Sequence, residues 1–192
     1  MSISERLIQD IVLEFPNFRI VDKRDDPLSR AIDRTLKIVT FGGQAGYLTV
    51  YHTVIGDTLY VPASWSGASD VERAIVLRHE RVHLRQRRRY GAALMTFLYL
   101  VPFFPLGLAY GRARIEWEAY AETLRATAEL CGLAAARSPE LRARIVRRFT
   151  GPDYGWMWPF GRQVMRWYDE ALGRIASELG APRAALHGEH AA

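Results

Sequence analysis

Residues 69–90 read SDVERAIVLRHERVHLRQRRRY, and the fold turns on how this stretch is read. Ser69-Asp70-Val71-Glu72 has the form of a capping box, in which the serine hydroxyl accepts an orphan amide of the first turn and the glutamate reaches back to the cap. From there Val71, Ile75, His79, Val82, His83 and Gln86 recur at three- and four-residue steps, and no proline or glycine intervenes before Gly91. The pattern predicts one long helix from about Ser69, with His79 and His83 along the border of its buried stripe. Two imidazoles four residues apart project from one helix face and can share a divalent metal. Glu80, beside the first of them, then faces the open side of that metal, where a carboxylate can take a proton from a bound water.

A tetrahedral site needs a further protein ligand, and Arg114 to Glu122, RIEWEAYAE, is a helical segment rich in carboxylates. Glu116, Glu118 and Glu122 compete for the role. Glu116 and Glu118 point about 200° apart on a helix, so only one of them can face the metal. On His79-Glu80-Arg81-Val82-His83 and Glu116-Trp117-Glu118-Ala119-Tyr120 the chain resembles the gluzincin zinc metallopeptidases, over about residues 48–125. The resemblance implies one zinc ion (Zn2+) per chain held by His79, His83 and Glu116, with Glu80 as general base and Glu118 as the alternative ligand. Tyr120 stands where the family places an aspartate, so the resemblance leaves the hydrogen-bond partner of the first histidine unidentified.

Upstream, Tyr47 to Val54 and Thr58 to Val61 alternate and are rich in β-branched and aromatic residues, with Gly56-Asp57 between them as a turn. A strand or hairpin is therefore expected before the metal-binding helix. In gluzincins an edge strand in this position binds the substrate backbone, which implies β-augmentation by a peptide here. His52 lies in this segment, and it joins Tyr120 and Tyr154 as a candidate donor to a transition-state oxyanion. The alternative for His52 is a purely structural histidine.

Gly91 to Tyr110, GAALMTFLYLVPFFPLGLAY, carries no charge and approaches the length of a bilayer span. One crossing would strand His83 and Glu116 on opposite membrane faces, so the metal reading excludes it. Pro102 and Pro105 break the run into Ala92 to Val101 and Leu106 to Arg112, which predicts a buried helical hairpin that returns Glu116 towards the histidines. A shallow hairpin dipping into a membrane is the alternative.

The formal charge of +5 is almost wholly arginine, since Lys23 and Lys37 are the only lysines. Arg78, Arg81, Arg85, Arg87, Arg88 and Arg89 cluster on the metal-binding helix and read as a solvated cationic face that complements the helix dipole; an anionic lipid surface is the alternative partner. No zinc-finger spacing, RNP signature or glycine-rich phosphate loop accompanies them, so nucleic acid is not an expected partner. Cys131 is the only cysteine, which excludes internal disulfides and suits a reducing cytoplasm. The first residues lack the basic and apolar regions of an ordinary secretory signal.

Elsewhere helices are predicted over Ser4 to Glu14, from Asp26-Pro27 to about Arg34, from Ser138 to about Phe149 and over Gly161 to Leu179, with a strand at Leu36 to Thr40. Tyr154, Trp156, Trp158, Phe160, Trp167 and Tyr168 read as an aromatic core. The expectation is a single mainly helical α+β domain over residues 1–179 with a disordered tail at 180–192. In it a small N-terminal hairpin or sheet packs on the HExxH helix and on a second, glutamate-bearing helix. The expected activity is that of a cytoplasmic zinc metalloendopeptidase acting on peptide or protein, with association peripheral to a membrane or a noncatalytic metal-binding assembly role as alternatives.

Overall fold

The computed structural model describes residues 1–24, 52–100, 109–151 and 157–180. The protein is mainly helical with one small mixed sheet, an α+β architecture. Helix α1, Ile3–Glu14, starts from a Ser2/Glu5 capping box and buries Ile11, and Phe15 and Phe18 just beyond it are buried too. Strand β1, Arg19–Asp22, follows, then β2, Thr53–Ile55, and β3, Thr58–Val61. The sheet order is β1-β3-β2: Ile20 pairs with Leu59 in parallel and Val54 pairs with Leu59 antiparallel. Central β3 is buried along its whole length, so it carries hydrophobic side chains on both faces. The expected hairpin is present, with Gly56 at φ +65° in its turn. His52 lies just before β2 rather than within it.

Helix α2, Asp70–Tyr90, has the expected Ser69/Glu72 capping box and ends at Gly91, whose φ of +83° few other residues adopt. Its buried stripe is Ala74, Leu77, Glu80, Leu84 and Gln86, not the row through Val71 and Val82 that periodicity suggested. The reason is that α2 is covered on two sides. Leu77 and Leu84 join Ile11, Phe15, Phe18, Leu59 and Val61 in one core beneath the sheet and α1, while the histidine side meets a later helix.

Helices α1 and α2 run parallel and are tied at both ends. Asp70 accepts from the Ile3 and Ser4 amides at 2.8 and 3.0 Å and from the Ser4 hydroxyl at 2.5 Å, satisfying orphan donors of the first turn of α1. At the far end Glu14 accepts from Arg81 and Arg85, each at 2.7 Å. The expectation of a solvated arginine face is thus corrected. Arg78 pairs with Glu122 and Glu129, Arg81 and Arg85 with Glu14, and Arg87 with Asp57, leaving Arg88 and Arg89 as the exposed pair at the helix end. These arginines bind α2 to its neighbours.

The Arg85 guanidinium, with Arg81 beside it, holds the Glu14 carboxyl down at about 2, from an ordinary value of 4.5. A depressed acid stabilises the fold fully above its unfolded pKa and loses that contribution as pH falls towards the folded one. Glu14→Gln is therefore expected to lower stability by about 1 kcal/mol at pH 7, an amount set by its partial solvent screening. The gap to wild type should narrow as pH drops below 4.5; urea midpoints at pH 7 and pH 3 measure it.

After Gly91 comes α3, Ala92–Leu100, then α4, Ala109–Cys131, a short α5, Leu133–Ala136, then α6, Pro139–Thr150, and α7, Gly161–Gly180. Ser138 caps α6 by accepting the Leu141 amide. Gly111 on α4 approaches α3 so closely that a Cβ there would meet Leu98 at 2.9 Å. Of the expected buried hairpin, Met95 of α3 is buried while Leu94 and Phe97 are 45% and 52% exposed, and its bend, residues 101–108, lies outside the described residues. No helix among the described residues is long and apolar enough to cross a membrane. A second core joins α4 to α7: Trp117, Phe149 and Trp167 pack ring against ring, and the Tyr168 hydroxyl donates to the Ala136 carbonyl at 2.5 Å. Of the expected aromatic core, Trp167 and Tyr168 are buried, Trp158 partly so, and Phe160 is 48% exposed. The helix and strand expected over residues 26–40, Tyr154, Trp156 and the tail 181–192 lie outside the described residues.

Candidate metal centre

The seam between α2 and α4 lies between the two cores. From α2 come His79, Glu80 and His83, and from α4 come Glu116, Tyr120 and Thr123. One ligand atom from each of His79, His83 and Glu116 lies within 4.8 Å of the others, and His83 Nε2 is 3.9 Å from a Glu116 carboxylate oxygen. These three residues could hold a metal ion between them. Glu116 is 3% exposed. Its rivals have other partners: Glu118 accepts from the Gln86 amide at 2.8 Å, and Glu122 accepts from Arg78 at 2.6 Å.

Both imidazoles are oriented by hydrogen bonds at Nδ1. His79 Nδ1 is 3.0 Å from the Thr123 hydroxyl, and that hydroxyl donates its one proton to the Ala119 carbonyl. A hydroxyl so engaged accepts from His79, which assigns the ring proton to Nδ1, and the Ala119 carbonyl is a further partner of the ring. Gln86 Nε2 donates to the Ile115 carbonyl and to Glu118, which turns its amide oxygen to His83 Nδ1 at 2.9 Å. The same logic protonates His83 on Nδ1. A hydrogen bond at Nδ1 leaves Nε2 as the ligand atom of each ring towards Glu116, the arrangement that orients metal-binding histidines. Burial, with lesser contributions from His83 and His52, holds the His79 pKa well below its ordinary value and keeps the ring neutral. Thr123 is the partner that the resemblance left unidentified. Tyr120, in the aspartate position, instead lies edge-on to the His79 ring with centroids 4.9 Å apart.

Glu80 is 7% exposed, and burial pushes its carboxyl up to about 7. Glu116 adds to the rise, while His83 and Lys23 oppose it. Lys23 is fully buried and donates to the Thr53 hydroxyl at 2.8 Å. Sequence reasoning missed it, because its place beside Glu80 depends on the parallel pairing of β1 with β3. Its only signal was scarcity, as one of two lysines in an arginine-rich chain.

A cavity of about 200 Å³ opens over His79 and Glu80. His52, Tyr120 and Thr123 reach it from the sheet and α4 sides, and Leu141, Arg144, Ile145 and Arg148 of α6 form a further wall. His52 stacks edge-on against Trp65, and its buried Nε2 has no hydrogen-bond partner among the described residues. Burial, then the charges of Lys23 and Arg148, bring its pKa down to about 4, so the ring is neutral at pH 7. Of the three candidate oxyanion donors, His52 and Tyr120 line the cavity, and Tyr154 lies outside the described residues. Comparison with known protein families, characterised proteins and solved structures found no match to this chain.

Proposed function

We propose that the protein is a zinc-dependent hydrolase, a gluzincin-type metallopeptidase in which His79, His83 and Glu116 hold one zinc ion and Glu80 is the general base. The observation that carries the reading is the convergence of these three ligands within 4.8 Å, from two helices, beside a buried glutamate. The donor set fits the ion: two imidazoles and one carboxylate make three protein ligands, the number that leaves a fourth position open. When bound, zinc supplies Lewis acidity, which lowers the pKa of water and polarises a carbonyl.

The remaining steps belong to the chain. Glu80, a buried carboxylate beside the ligands, accepts a proton and hands it to a leaving amine. His52 Nε2 and the Tyr120 hydroxyl are among the groups lining the cavity that can donate towards a developing oxyanion. An extended peptide can run along β2, an edge strand of the described sheet, and enter the cavity beside Glu80.

Elemental mass spectrometry of the purified protein under mild chelation tests the reading. One zinc per chain is expected in the wild type and in Glu118→Ala, and none in His83→Ala or Glu116→Ala. A wild type that takes up no zinc even on addition would overturn it. Gln86→Ala and Thr123→Val each free one ligand imidazole to rotate, and each is expected to weaken zinc binding about 10–100-fold in competition with a chromophoric chelator.

A second reading, a membrane-surface protein, draws on α3. Leu94 and Phe97 are exposed just after the exposed Arg88 and Arg89, the composition of a face that rests on anionic lipid. It is compatible with the first, since the metal cluster lies on the α2–α4 seam.

A further inference from the structure

Helix α6 presents two pairs of residues at four-residue spacing to the cavity. Leu141 and Ile145 are buried and apolar, and Arg144 and Arg148 stand next to them. Residues i and i+4 lie about 6 Å apart along one helix face, so two guanidinium groups at this spacing can reach a single carboxylate. Arg142, one position away from this face, is used elsewhere: it donates to Asp169 at 2.8 Å and lies over the Tyr168 ring. No carboxylate among the described residues pairs with Arg144. Glu80 and His79 of α2 line the same cavity. One part of the cavity thus carries a carboxylate and an imidazole, and another is cationic with apolar side chains beside it.

From this juxtaposition we infer that Arg144 and Arg148 form a binding site for a substrate carboxylate, and that the substrate class is a peptide bearing a free carboxylate close to its scissile bond. The inference rests on the metallopeptidase reading and gives it a specificity. Arginine suits the role because its planar fork meets a carboxylate with two parallel hydrogen bonds. The cavity's roughly 200 Å³ is smaller than the several hundred Å³ typical of a drug-sized ligand's pocket, so the carboxylate must lie within a residue or so of the reacting bond. The depressed pKa of His52, to which Arg148 contributes, is a second sign of a positive field in this space. A carboxylate of this kind comes from either of two sources, the peptide's C-terminus or an aspartate or glutamate side chain.

Three hydroxamates with the same zinc-binding head separate these sources: N-succinyl-leucine with a free terminus, N-succinyl-glutamate with an amidated terminus, and the neutral N-succinyl-leucine amide. Their dissociation constants for the full-length, zinc-loaded protein are measured by titration calorimetry, with zinc content assayed on the same samples. One of the acids is expected to bind at least tenfold more tightly than the neutral compound, and the one preferred identifies the source. In Arg144→Gln/Arg148→Gln the preference should vanish while the neutral compound binds as before. The lysine variants should restore part of it, since they keep charge without the fork. Equal affinity for all three compounds, or a preference that survives the double variant, would overturn the inference and leave the metal centre standing. A wild type without zinc would overturn both, and the metal assay tells the two failures apart.

Discussion

Glu80→Gln is expected to keep one zinc per chain and to lose peptide hydrolysis by roughly 10²–10⁴-fold. The substitution is nearly isosteric and leaves His79, His83 and Glu116 in place, so zinc content should equal that of the wild type. What disappears is the one buried carboxylate beside the ligands that can accept a proton near pH 7. A second readout comes from stability. The folded pKa of Glu80 lies above its ordinary 4.5, at about 7, so holding it ionised in the metal-free protein opposes folding as pH rises through that interval. Metal-free Glu80→Gln should therefore be more stable than metal-free wild type at pH 8, and the difference should close by pH 4. Retention of both zinc and full biological activity would instead favour the noncatalytic metal-binding alternative.

Local signals made much of the scaffold legible. The Ser69/Glu72 box and Gly91 bound α2 almost to the residue, Ser138-Pro139 opens α6, and Gly56-Asp57 turns the β2–β3 hairpin. Strand β1 was not legible: four residues are too few for an alternation to stand out, and a parallel partner 39 positions away, as between Arg19 and Thr58, leaves no turn signal between them. The candidate ligand pair on α2 follows from helix geometry alone. Which carboxylate of α4 joins it does not, because that depends on how α4 is rotated about its axis. Trp117, Leu124 and Ala128 face the second core, and Gln86 clamps the Ile115 carbonyl and Glu118. Together these place Glu116 on the seam. Thr123, Arg144 and Arg148 had no signal of their own, and Lys23 only its scarcity, for the same reason: each enters the site through tertiary contacts between elements far apart in sequence. The arginine run on α2 misled in the opposite direction, since its carboxylate partners, Glu14, Asp57, Glu122 and Glu129, are equally remote.

Phe149→Ala is expected to destabilise the protein by about 3–5 kcal/mol, a large part of the 5–15 kcal/mol typical of a whole domain. Phe149 is 0% exposed at the last turn of α6, and its ring meets Trp117 at 6.0 Å, Tyr120 at 5.5 Å and Trp167 at 6.4 Å between centroids. Three aromatic neighbours on two other helices cannot all close onto an alanine, so a cavity should remain and its unfilled volume adds to the lost transfer energy. Phe160→Ala is the matched control: that ring is 48% exposed, and its loss should stay within about 0.5 kcal/mol. Urea unfolding measures both. A loss below 1 kcal/mol for Phe149→Ala would mean that α6 is not packed against α4 as described, and the cationic wall of the cavity would go with it. The functional consequences should separate in the same order as the contacts. The proposed zinc site lies on the α2–α4 seam, and bound zinc should survive at temperatures where the variant remains folded. The carboxylate preference depends on where α6 holds Arg144 and Arg148, and it should weaken first.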